Sequence, residues 1–438
     1  MAAPKLPHRL GIRREDKSRW ERRVPLAPAQ VAALVRDHGI ACTVEPSPIR
    51  IFPDREYAVA GARIDEDLGP CPVVLALKEI PAEKLRPDTT YLFFSHTIKG
   101  QTHNLPMLRR LLELGCQLID YERMVDDEGR RLLFFGRHAG LAGMIDTLWT
   151  LGQRLTREGL ATPFEAIRPA HAYADLDAAR AAVTAAGAAI AAGGLPAAVA
   201  PLVVGFAGYG HVSLGAQEIF DLLPHRVVAP EALGHLPPGG PLWKVVFREE
   251  HTVEPLEPGA AFELADYRAR PERYRSSFAR HLPHLTVLVN GIYWESSNPR
   301  LVTCAELGAL AGASSGLRLR VIGDISCDLN GAIECTIKAT KQDDPVYTYD
   351  PLAGTTTDGI HAPGVAILAV DNLPAELPRD ASIAFGDLLM PFVPALLRAD
   401  FSVPFAELDL PAPLKRACIV HRGELTDGYR YLERYLRS

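Results

Sequence analysis

The sequence predicts an α/β protein built on open, mostly parallel sheets, and three observations predict it. Short apolar runs alternate with amphipathic helical segments through the first 135 residues, the pattern of strands joined by crossover helices. A further apolar run at 202–206 meets a glycine-rich turn with Gly208, Gly210 and Gly215, and a helical pattern follows from Ala216. That is the strand–turn–helix setting in which a backbone can approach a dinucleotide pyrophosphate. The turn comes about two hundred residues into a chain of 438, a length that predicts two or three domains, so the nucleotide unit is not the first to be built.

Taken in order, residues 10–12 read as a short strand, and Pro28–His38 as an amphipathic helix with proline at its start. Strands follow at 42–45, 73–77, 91–94 and 117–120, with helices at 53–60 and 106–114 between them. Residues 140–157 form a long apolar-periodic helix. The alanine-rich segment 174–192 reads as a second one, because Leu176, Ala179, Ala182, Val183 and Ala186 recur at helical spacing and alanine favours the helix. Beyond the glycine turn, 226–229 reads as the second strand of the nucleotide unit, and 285–289 and 319–322 as buried strands ending Asn290-Gly291 and Gly323-Asp324. Residues 365–370 read as a strand. The proline-bracketed segment 374–397, with a helix at 381–389, is expected to pack back onto the first domain.

Hydrophobic residues make up 47% of the chain and charged residues 23%, a balance that supports a packed core. The net charge is −6 and no basic stripe exists beyond a local run at 13–23, so a nucleic-acid partner is not expected. No apolar run approaches the roughly 18 residues of a membrane helix, and the first residues lack the apolar core of a signal peptide. Seven scattered cysteines without a CxxC pair predict reduced thiols in a cytoplasmic protein and no metal site. The phosphate-binding GxxxxGK[ST] and the HExxH patterns are missing.

Chemistry in an open α/β sheet belongs just past the carboxyl ends of strands. Lys78 stands there after VVLAL, and His96 after YLFFS. A lysine and a histidine on neighbouring strands suit acid–base work, because histidine titrates near neutrality and burial or a neighbouring cation tunes lysine down. A solvated lysine and a loop histidine are the plainer alternative. Lys99, Arg23 and Arg131 would add a cationic surface for carboxylates, with Glu79 and Glu122 placed to tune them. In the second half, Gly208, Gly210, His211, Val212, Ser213 and Gly215 would hold the dinucleotide phosphates. Asn290, Gly291, Ile292 and Tyr293 would approach its ring, and Asp324 would lie near that ring or the substrate amine. The acidic residue expected about 20 residues past the glycines, which marks an NAD site, is represented only by Glu231 beside Pro230.

Together GIRREDKSRWERRVPLAP, ALKEIPAEKL, YLFFSHTIKGQ, LIDYERMVDDEGRRLLFFG, AGLAGMI, the glycine turn, NGIYWE, GDISCD and VDNLPAELP resemble one known family in the same order. The resemblance, from about residue 10 to 431, is to the lysine–ketoglutarate reductase (saccharopine-forming) domain of aminoadipate semialdehyde synthase, and more distantly to the lysine-forming saccharopine dehydrogenase and alanine dehydrogenase.

It implies two Rossmann-like domains, the nucleotide domain (141–334) inserted into a discontinuous substrate domain (1–140 with 335–438). It implies Lys78 and His96 as the catalytic pair. Arg23, Glu79, Lys99, Glu122 and Arg131 would serve the substrate site, Gly208–Gly215 the cofactor. The implied reaction is condensation of L-lysine with 2-oxoglutarate and reduction by NADPH to saccharopine, with closure of the two domains excluding water. Lys78 would take the amine proton and His96 serve the departing oxygen, the exchanged assignment being the alternative. NAD-dependent lysine formation, or an opine-type dehydrogenase acting on another amine and keto acid, are the rival readings, with a non-catalytic nucleotide sensor beyond them. Arg226 and Arg248 are candidates for an NADP 2′-phosphate. A separate saccharopine-cleaving dehydrogenase is the expected downstream partner.

Overall fold

In the computed structural model, which describes residues 8–237, 242–314 and 316–437, the chain divides into two units. One is Met1–Phe135 with Pro378–Ser438, the other Gly136–Leu377, so the second interrupts the first.

The first unit is an eight-stranded sheet. Its order is Glu424–Leu425, Cys418–His421, Gln117–Asp120, Thr90–Phe93, Val73–Leu75, Arg9–Ile12, Ala41–Val44, Arg63–Ile64. The last six of these run parallel, and the first two form an antiparallel hairpin against Gln117–Asp120. Counted in chain order, the parallel strands stand 3-2-1-4-5-6, the doubly wound order whose switch point falls between Arg9–Ile12 and Val73–Leu75. All four residues of Thr90–Phe93 and of Gln117–Asp120 are buried, as central parallel strands must be when both faces are covered. Pro28–His38 forms over the predicted residues, with proline at its first position and Gly39 in the left-handed conformation at its end. From Pro378 on, the returning segment belongs here as expected: Val24 N–H donates to Ser382 Oγ (2.9 Å), and Gln30 Nε2 to the Ile383 carbonyl and Asp387.

The second unit has its own eight-stranded sheet, ordered Thr355–Asp358, Val346–Asp350, Val365–Leu368, Val321–Asp324, Val287–Asn290, Val203–Ala207, Leu242–Phe247, His225–Val227. Its strands send alternate residues to two cores: Val204 and Phe206, Val287 and Val289, and Ala366 and Leu368 to one; Val203 and Ala207, Leu288, and Val365 and Ile367 to the other. The alanine-rich segment is a helix, Leu176–Gly193, capped by Asp175, whose side chain accepts from Ala178 N–H (2.9 Å). A separate two-stranded ribbon pairs Val253–Pro255 with Tyr274–Ser276.

Three expectations are corrected. The chain returns to the first unit at Pro378, not at 335, because Val346–Asp350, Thr355–Asp358 and Val365–Leu368 hydrogen-bond to the second sheet. The helix after the glycine turn starts at His211 rather than Ala216, since Leu214 N–H already bonds the Gly210 carbonyl. The strand His225–Val227 is an edge strand, and the neighbour of the glycine strand is Leu242–Phe247, which follows the Pro-Pro-Gly-Gly-Pro run and was not anticipated.

Candidate active site

At the switch point of the first sheet, strand pairing stops at Leu75, yet the next backbone donors stay occupied. Glu15, buried in the loop after Arg9–Ile12, accepts Leu77 N–H on one carboxylate oxygen (2.7 Å) and Lys78 N–H on the other (3.1 Å). Burial, with the nearby Glu21 charge, pushes the Glu15 carboxyl up to about 7. Lys78 leaves this clamp with its ammonium free of hydrogen bonds and ion pairs among the described residues. Burial first, then the Arg23 charge, lower its pKa from the ordinary lysine value.

Glu79 and His96 are brought together. His96 Nδ1 lies 2.6 Å from Glu79 Oε1, and Lys17 Nζ 2.7 Å from Glu79 Oε2. Burial opposes ionisation of Glu79, but the hydrogen bonds from His96 and Lys17 outweigh it and hold the carboxyl well below its usual range. An ionised Glu79 only accepts, so Nδ1 carries a proton and Nε2 is the nitrogen left for chemistry. His96 has φ +47°, strained for a residue with a side chain, and its ring stacks on Phe94. Asn104 Nδ2 ties down the His96 carbonyl (3.1 Å).

Arg23 is only 2% exposed and forms a bidentate pair with Glu21 (2.8 and 2.6 Å), its guanidinium 4.4 Å from the Phe135 ring. Glu122 and Arg131 pair with each other. Lys99 stands apart on an exposed loop, its backbone N–H bound to Gln101. Asp120 joins the groups: one oxygen accepts from Ser95 N–H (3.1 Å) and Ser95 Oγ, next to His96, and the other from Glu122 N–H (2.7 Å). Burial raises its carboxyl to about 6. Glu15, Lys17, Glu21, Asn104 and Asp120 were missed at the sequence level. The signal for three of them was the alternating charge of Arg13–Arg23, read there only as a basic run.

In the second sheet, Phe247, Ala207, Asn290 and Asp324 stand in one register row at the carboxyl ends of their strands. Gly208 follows with φ +99°; a Cβ there would meet the Gly291 carbonyl oxygen at 3.2 Å and Ile292 at 3.1 Å. Gly210 caps the helix His211–Phe220 with open space where a Cβ would be, and Val212 and Ser213 lie in its first turn. A Cβ on Gly291 would come within 3.2 Å of the Ser213 nitrogen. This bare, side-chain-poor surface at a helix N-terminus fits a pyrophosphate. Gly215 lies inside the helix, where a Cβ would strike the Arg137 carbonyl oxygen at 2.2 Å; its service is close packing on Gly136–Arg157. Asn290 Nδ2 donates to Asp324 (2.8 Å), which also accepts from Thr336 (2.5 Å) and the Cys327 N–H (3.2 Å), with burial raising the Asp324 carboxyl to about 6. Ile292 is half-buried, whereas Tyr293 is exposed and bonded to Glu295. Among the described residues no His/Cys/Asp/Glu cluster could hold a metal ion, and no helix is long and apolar enough to cross a membrane.

Residues 11–142 match the alanine dehydrogenase/PNT N-terminal domain, and residues 272–428 the corresponding C-terminal domain. The chain is 41% identical to an alpha-aminoadipic semialdehyde synthase of Arabidopsis thaliana over 98% of its own length and 42% of that protein. It is 37% identical to the mitochondrial synthase of Mus musculus, over 98% and 48%. It therefore spans less than half the length of these relatives. A lysine-forming, NAD(+) saccharopine dehydrogenase of Emericella nidulans is 28% identical over 88% of this chain and 91% of that one. The fold is that of a solved L-alanine dehydrogenase (TM-score 0.63, 17% identity, 98% of this chain and 99% of that one). The chain belongs to the alanine dehydrogenase/PNT family of NAD(P)-dependent oxidoreductases.

Proposed function

We propose that this protein joins L-lysine and 2-oxoglutarate reductively to give saccharopine, with NADPH as reductant, in lysine degradation. The observation that carries the reading is the pairing of a half-buried lysine, lowered in pKa and unpaired, with a histidine whose Nδ1 is held by an ionised carboxylate. The names of the synthases and of the saccharopine dehydrogenase support the substrate pair.

In this mechanism Lys78 takes a proton from the substrate ammonium, so that the neutral amine can attack the keto carbon. His96 Nε2 hands a proton to the carbinolamine oxygen, which departs as water and leaves an imine. The reduced nicotinamide, when bound, supplies a hydride to the imine carbon. The Gly208–Gly210 turn, Val212, Ser213 and Gly291 would hold the dinucleotide, with Asn290 and Asp324 toward its ring. Arg23, Lys99 and Arg131 would serve the substrate carboxylates, Glu79 and Glu122 tuning the cations. The seven thiols, all free, suit a reducing compartment, and we place the enzyme in the cytoplasm, with a saccharopine-cleaving dehydrogenase acting next.

The test is nicotinamide oxidation followed by absorbance with each substrate alone and with both. Oxidation that requires both, with saccharopine identified as product, is the expected result. Oxidation with a different amine or keto acid only would replace the substrates. Activity confined to NADH would favour the lysine-forming relatives' cofactor.

A further inference from the structure

The order of strands in the second sheet moves the residue that meets the adenosine ribose. In a doubly wound sheet, that ribose is read from the carboxyl end of the strand beside the glycine strand. By chain order this would be His225–Val227, leading to Glu231. The hydrogen-bonded neighbour of Val203–Ala207 is instead Leu242–Phe247, with Ala207 opposite Phe247, and Gly208 N–H donates to the Phe247 carbonyl (3.0 Å). His225–Val227 lies on the outer side of that strand, with Arg226 opposite Trp243, at the other end from Phe247. The first residue past the row is therefore Arg248, directly beside the glycine turn.

We propose that Arg248 binds the 2′-phosphate of NADP(H) and sets this chain's preference for the phosphorylated cofactor. The proposal rests on reading Gly208–Gly210 as the pyrophosphate turn. The Arg248 guanidinium lies 4.9 Å from the centre of the Tyr209 ring, on the turn itself, and makes no hydrogen bond or ion pair among the described residues. Its backbone is anchored, N–H to His251 Nδ1 at 2.9 Å. The neighbouring acid, Glu249, which would accept both ribose hydroxyls in an NAD site, is engaged by the Tyr209 hydroxyl (3.2 Å) and by Arg268 (3.4 Å). Arg268 is thus the arginine paired with that carboxylate, while Arg248, without an anionic partner among the described residues, stands on the Tyr209 ring. A guanidinium offers a planar pair of donors to phosphate oxygens, and the aromatic face holds it in place.

The experiment is calorimetric binding of 2′,5′-ADP and 5′-ADP, which lack the nicotinamide, so that turnover plays no part. The intact chain is expected to bind 2′,5′-ADP about tenfold or more tighter than 5′-ADP. Arg248→Gln should erase that ratio while 5′-ADP binding holds, Arg248→Lys should keep part of it, and Arg226→Gln should leave it intact. An unchanged ratio in Arg248→Gln, equal binding of both nucleotides by the parent chain, or loss of the ratio in Arg226→Gln would each overturn the assignment. Failure of the parent chain to bind either nucleotide would instead remove the pyrophosphate turn, and the assignment with it.

Discussion

The two sheets are built to one plan and finished differently. Each has six parallel strands and an antiparallel hairpin added beside the last of them. Past the strand ends of the first stand Glu15, Lys78, Glu79, His96 and Glu122, with Asp120 closing its own strand. The same level of the second offers Gly208, Gly210 and Gly291, with Asn290 and Asp324 as the only polar side chains in the row. Titratable groups held by buried carboxylates suit proton transfer, while bare backbone and a helix N-terminus suit a phosphate. The strand orders differ as well, 3-2-1-4-5-6 against 2-3-1-4-5-6. Exchanging two strands is enough to change which residue borders the glycine turn.

If this division of labour holds, lesions in the first sheet should act on turnover and lesions in the second on nucleotide affinity. The largest effect is expected from Lys78→Met and His96→Gln, each lowering kcat by about two to four orders of magnitude while 2′,5′-ADP binding is kept. Full activity in both variants would end the catalytic assignment. Next comes Gly208→Ala, where a Cβ must be carried at φ +99° against the Gly291 carbonyl. Nucleotide affinity should fall about tenfold, and kcat at saturating cofactor should hold.

A smaller effect tests the tuning of Lys78. The Glu79 charge favours protonation of that lysine. Glu79→Gln should therefore lower the Lys78 pKa further, and the acid limb of the kcat/KM profile should move to lower pH by up to about one unit. A shift to higher pH would mean that Lys78 is not the base.

The smallest effect concerns stability, and it lies in the second unit away from the strand ends. Asp146, on Gly136–Arg157, and Glu376 are buried carboxyls, bonded by Ala170 N–H (2.7 Å) and His171 N–H (3.3 Å). Burial pushes Asp146 up and takes Glu376 from 4.5 to about 7. The unfolded chain then releases its proton at lower pH than the folded one. Stability should fall as pH rises from about 4.5 to 7, with Glu376 contributing on the order of 1–3 kcal/mol of the fall. Glu376→Gln should make that decline shallower in denaturation followed across this range, the other raised carboxyls keeping their share.

Much of the plan was legible from residues. Pro28–His38 and Gln117–Asp120 form over the residues expected, because period and punctuation are local properties. Lys78, Glu79 and His96 were legible too, since a polar residue after an apolar run marks a strand end whatever its partners. Glu15, Asp120 and Asn104 were not, because nothing local distinguishes a buried, hydrogen-bonded acid or amide from a solvated one. Leu242–Phe247 was hidden behind the Pro-Pro-Gly-Gly-Pro run, and the hairpin of Val346–Asp350 and Thr355–Asp358 behind an unremarkable polar stretch.

By itself, then, the sequence determined the alternation of strands and helices, the glycine turn and the residues at the strand ends, all set by neighbours along the chain. The tertiary structure alone decided that Glu15 clamps Lys78, that Glu79 holds His96, that the chain returns at Pro378, and that Arg248 rather than Glu231 borders the turn. Those depend on which strands lie side by side. Side-by-side placement is settled by long-range pairing and burial, which no local pattern records.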